Sequence, residues 1–380
     1  LDRHRDAVAL LAPVIAEARR QGNVHALVDA LRWTSSAQLA LGELDAGIAS
    51  SQAAVDAVAA AGPAARPNDD GSAWLSLANA KTFAQQPGAA EAARMGVERM
   101  RVAQGDRVTA SMLDARRMYA GALALEGRAR ESLAEMEQVL AQTRALLGEK
   151  HPRFELSANM LGNARLQAGD AVGAAEAFRA AVAAIDATKA RPYTVGIEHY
   201  GLGSALAAAR RDAEALPELE AGARALQAAG ASGAGLALRA RSVRALSLGR
   251  LGRFEDADRE FAALEAAPWS GLDGPVNQMR LADLRGREGR RDEALAISTR
   301  AFAAMPAQGP ALGKAQFARV HGLALLGAGR AADAVPVLQQ AVALYDKQQI
   351  VESADRREAA EGLARAQVAL GAVAASAPGH

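Results

Sequence analysis

One phrase recurs along this 380-residue chain. It reads "LEGRARESLAEMEQVLA" at 125–141, "LQAGDAVGAAEAFRAAVA" at 166–183, "LGRLGRFEDADREFAAL" at 248–264 and "LGAGRAADAVPVLQQAVA" at 326–343. Each copy opens on a turn-like residue, usually glycine, and continues into a stretch whose inner side is mostly alanine. Aligned on that turn, the anchors are Gly42, Pro87, Gly127, Gly169, Arg210, Gly252, Gly289, Gly329 and Gly371, spaced 37 to 45 residues apart. A near-constant period of this length marks stacked supersecondary units, and it overrides the two or three ordinary domains that length alone suggests.

The period has an internal grammar. Seven residues before the anchors stand Ser35, Ala80, Ala120, Gly162, Gly203, Ala245, Ala282, Gly322 and Ala364. Five residues after the first eight stand Gly47, Ala92, Ser132, Ala174, Ala215, Ala257, Ala294 and Ala334. All are small, as a close crossing of two antiparallel helices requires. Nine residues past the anchor the side chain is often large: Met136, Phe178, Leu219, Phe261 and Leu338. Apolar positions fall at three- and four-residue steps, which is helical periodicity, and no alternating strand pattern competes with it. Asp170 and Asp212 stand where an N-cap would satisfy the first free amides of a second helix. Each unit therefore reads as a helical hairpin that buries its apolar face only against its neighbours.

Composition narrows the function. Aromatic residues are only 4% of the chain, so small alanines carry the packing. Forty-four basic residues against 43 acidic ones leave a formal charge of +1, which provides no electrostatic footprint for nucleic acid and no polybasic run for a membrane surface. The chain has no cysteine, which excludes disulfides, thiolate metal sites and cysteine nucleophiles and fits a reducing, cytoplasmic setting. It begins Leu1-Asp2-Arg3, close to a helix, and reads as a piece of something longer.

Motifs that would carry catalysis fail one by one. The six histidines (His4, His25, His151, His199, His321 and His380) show no metal-ligand spacing, and His199 and His321 read as packed side chains between helices. "GPALGKAQ" (309–316) is too short between its glycines for a phosphate loop and has Ala315 where Ser or Thr must hold magnesium. "GLGSAL" (201–206) lies in a helical pattern and lacks the third glycine of a dinucleotide fingerprint. "NDDGS" (68–72) lacks the bidentate Glu of a calcium loop, and "GASGAG" (230–235) has Ala234 where a nucleophile elbow needs glycine. The longest joint, 60–71, reads as an insertion between two repeats. No enzyme activity, cofactor or metal is expected.

The stretch "NMLGNARLQAGDAVGAAEAFRAAVA" (159–183), with Leu161-Gly162, the turn at Gly169, small Ala174, large Phe178 and small Ala181, resembles a tetratricopeptide repeat (TPR). The long period and the Gly148-x-x-His151-Pro152 link are similar to the kinesin-light-chain-like variety. The resemblance covers essentially the whole chain. It implies an all-α fold, a right-handed α-solenoid of stacked antiparallel helix pairs. The expected layout is a single array over 1–371: a half repeat at 2–21, about eight hairpins over 23–346 and a closing helix at 352–371, followed by a disordered tail at 372–380. In the half repeat, Ala7, Leu11 and Val14 take the core places.

The resemblance further implies that the first helix of each hairpin lines a concave, partner-binding face. Counting back 13, 10, 9 and 6 residues from each anchor locates the exposed stripe. It contains Asp29, Arg32, Trp33 and Ser36; Trp74, Leu77 and Lys81; Asp114, Arg117 and Met118; Asn159, Asn163, Tyr200 and Ser204; Arg239, Ser242, Arg280, Asp283 and Arg319. The partner-binding candidates are Arg32, Trp74, Lys81, Arg117, Asn159, Asn163, Tyr200, Arg239, Arg280 and Arg319. Asn159 falls where such repeats carry an amide that grips a peptide backbone. Arginines suit carboxylates, and aromatic residues anchor apolar side chains. The expected function is a non-catalytic scaffold for a protein or peptide, without nucleic-acid or membrane contact. Two alternatives stand beside it. One is the sensor or docking part of a bacterial serine/threonine kinase or winged-helix regulator, since arrays of this kind resemble the C-terminal regions of both. The other is a self-association module, a homo-oligomer formed through the truncated end.

Overall fold

The computed structural model describes residues 2–185, 189–307, 309, 311–348, 350 and 353–376. His380 and the 377–380 end of the expected tail lie outside the described residues, as does Glu352 at the expected start of the closing helix. The described residues form α-helices joined by turns and two short 3₁₀ segments, with no strand among them.

The chain divides into two compact units, Leu1–Met160 and Leu161–His380. In the first, α1 (Asp2–Gln21) precedes three hairpins: α2 (Val24–Ala40) with α3 (Leu44–Ala61), α4 (Pro67–Phe83) with α5 (Ala89–Gln104), and α6 (Ala110–Leu125) with α7 (Ala129–Leu147). The boundary falls within α8 (Pro152–Gln167), whose hairpin partner is α9 (Ala171–Ala184). The second unit continues with α10 (Pro192–Ala208) and α11 (Asp212–Ala228), α12 (Ala234–Arg250) and α13 (Phe254–Glu265), α14 (Asp273–Arg287) and α15 (Arg291–Ala303), and α16 (Ala311–Gly327) and α17 (Ala331–Lys347). It ends with α18 (Ala354–Ser376).

Small residues at the crossing points let the paired helices touch. All eight positions seven residues before the first eight anchors are buried, and so are all eight positions five residues after them. The large residue of each hairpin sits on the small one opposite. A Cβ added to Gly162 would lie 2.7 Å from the Phe178 ring, one at Gly203 2.6 Å from Leu219, and one at Gly322 2.6 Å from Leu338. Phe178, Leu219 and Leu338 are at most 1% exposed, so each fills the space that its glycine leaves.

The first helices also touch one another: α2 meets α4 and α4 meets α6 in the first unit, and α10, α12, α14, α16 and α18 form a chain of such contacts in the second. No comparable contact joins α3 to α5 or α5 to α7 among the described residues. First helices therefore form the inner layer of each unit and second helices the outer one.

Helix ends explain where the phrase breaks. Asp170 caps α9, accepting from the Gly173 amide at 2.8 Å. Asp212 does not cap α11. The N-cap there is Arg211, and Asp212 lies buried in the first turn. An arginine occupies the N-cap of five second helices and forks onto an acid three residues on: Arg128–Glu131, Arg211–Glu214, Arg253–Asp256, Arg290–Glu293 and Arg330–Asp333. The acids sit by the positive end of the helix dipole, and the exposed pairs add little beyond that.

Four further expectations are corrected. The turn after α4 is two residues longer than the others. Gln85, at φ 53°, takes the left-handed place that glycine holds in most other turns, and Gly88, also left-handed at φ 81°, is the N-cap of α5, so Pro87 is not the equivalent of those glycines. The joint at 60–71 is not a long loop, because α4 begins at Pro67 inside it and buried Asp69 bonds His25 Nδ1 at 2.9 Å. Gly371 is no turn. It lies within α18, which runs to Ser376 through the start of the expected tail, and Ala364 is exposed while Gly362 and Ala366 face the core. Val14 of α1 is 45% exposed rather than packed.

Candidate functional site

The inner layer of the first unit presents a polar stripe. On α2, Trp33 is 67% exposed, beside Arg32, whose guanidinium lies 3.2 Å from Asp29. On α6, Arg117 pairs with Asp114 at 3.1 Å and reaches Met160 Sδ at 3.7 Å, while Asp114 also holds Arg153 of α8 at 3.0 Å. The Asp114 carboxyl is drawn both ways. Burial pushes it up, but bonds from Arg153 and Arg117 prevail and hold it below the usual carboxylate range. Asn159 is half-buried on α8, and Asn163, one turn on, is exposed. On α4 the stripe is displaced. Trp74 packs against the hydrophobic core and Leu77 is only 2% exposed. Lys81 is half-buried, and exposed Asn79 takes the outward place, as the shift of the turn to Gln85 requires.

In the second unit, the same counting rule marks the wall of one cavity of about 740 Å³. Tyr200 and Ser204 of α10, Arg280 and Asp283 of α14 and Arg319 of α16 all line it. Arg239 of α12 stands outside it, paired with Asp273 at 2.9 Å. Ser242 is fully buried, donating to Asn277 Oδ1 at 2.7 Å.

The remaining wall comes from the far end of the chain. Ile350 sits against the turn at Gly169, whose φ is 81° and where any Cβ would collide with it. Asp355 and Glu358 at the start of α18 then meet arginines from three inner positions. Arg210 reaches Asp355 at 2.8 Å and Glu358 at 3.0 Å, Arg287 reaches Glu358 at 2.9 Å, and Arg319 pairs with Glu358 and lies 3.7 Å from Asp355. Asp283 joins from α14, 3.0 Å from Arg287, and Arg250 lies 3.6 Å from Asp212.

The charges of this network fix one another. Burial alone would pull the Arg319 guanidinium down, but Asp355, Glu358 and Asp283 outweigh it and push it above its ordinary value. Burial would push the Asp355 carboxyl up, and Arg319, Arg210 and Arg250 more than reverse this. Arg319 is 4% exposed and so is turned to the protein's own C-terminal helix rather than outward. Arg210 is held at φ 61°, a left-handed conformation, where six other repeat turns carry glycine. A side chain at this strained position is tolerated where its neighbours demand it, and the two carboxylates of α18 supply that demand.

His199 and His321 pack between helices. His199 Nδ1 lies 2.6 Å from Glu218, and His321 is stacked on Phe302, 4.9 Å between ring centroids, with Nδ1 3.0 Å from Ser298 Oγ. Among the described residues no group of three metal-ligating side chains comes together, and no helix is long and apolar enough to cross a membrane.

No model of a protein family matches the chain, and no curated protein matches it. Solved structures do. A Rap protein complexed with competence and sporulation factor aligns over 91% of this chain and 98% of its own, with a TM-score of 0.56 at 10% identity. The apo form of RapI aligns over 92% and 99%, with a TM-score of 0.56 at 8% identity. A putative kinesin light chain of Podosopora anserina, with nearly identical TPR-like repeats, covers 53% of this chain and 95% of its own at 22% identity, with a TM-score of 0.46.

The fold is tetratricopeptide-like. Its helical pairs are those that the repeat grammar describes, and identities this low reach the fold alone. Within this TPR-like frame, the contribution of Ile350, Ser353, Ala354, Asp355 and Arg357 to the cavity wall is what repeat-by-repeat reading misses. One signal for it stands in the sequence: Arg210 is the only one of the nine turn anchors that is neither glycine nor proline.

Proposed function

We propose that the chain is a non-catalytic interaction module that holds a protein or peptide partner on the inner layer of its first helices. The observation that carries this is Trp33. A tryptophan 67% exposed on an inner helix, next to the Arg32–Asp29 pair, is the residue type that dominates binding energy when a partner covers it. Arg117 and Asn159 extend the polar part of the stripe within the first unit. Arg32 and Arg117 are already oriented by Asp29 and Asp114, which reduces the entropy lost when a partner's carboxylate is held. A Rap protein of the same fold was solved in complex with competence and sporulation factor, which supports the reading by analogy of fold.

The test begins with affinity capture by the purified chain, identification of the captured protein and titration of the two purified components. Trp33→Ala and Arg117→Glu, each checked for unchanged helicity, are expected to weaken binding at least tenfold apiece. Wild-type affinity in both folded variants would refute the inner-layer assignment. Light scattering of the chain alone, across a concentration series, would reveal a partner that is a second copy.

A further inference from the structure

One half-buried cation in the second unit forms no ion pair among the described residues. Arg280 projects from α14 into the cavity of about 740 Å³, a size that suits a small molecule. The other cationic groups around the cavity have partners: Arg319 has Glu358, Asp355 and Asp283, Arg250 has Asp212, Arg210 has Asp355 and Glu358, and Arg357 is not free either. Arg280 forms no ion pair with any described residue. Its one side-chain hydrogen bond is donated to Ser242 Oγ at 3.0 Å. The carboxylate that favours its charge, Asp273, is already held by Arg239 at 2.9 Å, and burial depresses the guanidinium's pKa. A charge removed from water without a partner is costly, so a ligand that supplies one gains that energy.

The rest of the wall specifies the ligand's other end. Leu246, Val276, Met279, Phe317 and Ile350 form an apolar surface. On α10, buried Ser204 Oγ has no hydrogen-bond partner within the protein. Arg280 lacks an ion pair, so the cavity favours one negative charge beside it. A dianionic headgroup would remain half-compensated near Asp283 and Asp355.

We propose that this cavity binds a small carboxylic acid with an apolar body, its carboxylate taken by Arg280 and Ser204 and its chain lying along Met279, Phe317 and Ile350. The inference stands apart from partner binding on the first unit, since a failure here leaves Trp33 and Arg117 untouched.

The experiment is calorimetric titration of the full chain with octanoate, decanoate and dodecanoate, with decanamide and decyl phosphate as controls. Saturable binding of a carboxylate is expected, with decanamide and decyl phosphate each at least tenfold weaker. Arg280→Gln is expected to weaken binding at least tenfold while the thermal unfolding midpoint stays near that of the wild type. Ser204→Leu, which fills the cavity from the opposite helix, is expected to abolish binding and serves as the deciding variant if Arg280→Gln does not fold. No saturable carboxylate binding, equal binding of decanamide, or wild-type binding by the folded Arg280→Gln or Ser204→Leu variant would each overturn the proposal.

Discussion

Replacing Gly222 of α11 with alanine sets helix propensity against packing, and the structure indicates which prevails. An added Cβ would lie 2.8 Å from the Tyr200 backbone nitrogen, 3.2 Å from the Gly196 carbonyl oxygen and 3.2 Å from the Tyr200 Cα. All three are backbone atoms of α10, so no rotamer change makes room. The reciprocal site is equally tight, since a Cβ on Gly196 would meet the Leu226 nitrogen at 2.9 Å. Alanine improves helix propensity by about 1 kcal/mol over glycine. Overpacking costs about 1–3 kcal/mol, and contact with immobile backbone puts this site at about 3 kcal/mol. The expected net loss is about 2 kcal/mol, or roughly 4–8 °C in unfolding midpoint for a unit of this size. Gly121→Ala in α6 is the control. There the new Cβ meets only the Met160 Cε, at an ordinary 3.5 Å, so stability is expected to rise by up to about 1 kcal/mol. Far-UV circular dichroism melts give the midpoints. Hydrogen exchange across α10 and α11 localises the loss, because repeat arrays need not unfold in one step. A Gly222→Ala variant as stable as Gly121→Ala would refute the claim that these helices meet backbone to backbone.

Two further outcomes follow from the network and the packed histidine. Arg210→Gly relieves a left-handed backbone but cuts the ties to Asp355 and Glu358, so stability is expected to change by less than about 1 kcal/mol while amide exchange speeds up in the first turn of α18; unchanged exchange there would show that the pairs do not hold the helix. Burial, with a smaller contribution from Arg330, holds the His321 imidazole below its ordinary pKa of 6.5, so the unfolded chain takes up the proton first, and this residue's contribution to stability is full above about pH 6.5 and lost as pH falls below it; urea unfolding at pH 7.5 and 5.5 is expected to show a shallower pH dependence in His321→Gln than in wild type, and equal slopes would contradict this.

The hairpins were legible in the sequence because their determinant is local. A small residue seven before the turn and another five after it are what a close crossing needs, and both sets are buried. Misreadings arose where a neighbour in space outweighed the local pattern. Asp212 has the sequence of a cap, but Arg250, nearly a full repeat later, lies 3.6 Å from it in the interior. Proline punctuates chains, so Pro87 reads as the turn, whereas Gln85, two positions earlier, takes the left-handed place that glycine holds in most other turns. Trp74 and Leu77 followed from that shifted anchor and belong to the core. The site was half legible. The counting rule marks Tyr200, Ser204, Arg280, Asp283 and Arg319, which share one cavity, but Arg319 is satisfied by Glu358 of the C-terminal helix. Arg210 pairs with Asp355 across 145 positions of sequence, and no repeat-sized window contains both.

The central claim, that the first helices form the surface a partner covers, is tested most directly by hydrogen exchange on the chain with and without its captured partner. The account predicts protection concentrated in first helices such as α2, α4 and α6, with α3, α5 and α7 unchanged. Protection confined to those second helices would contradict it.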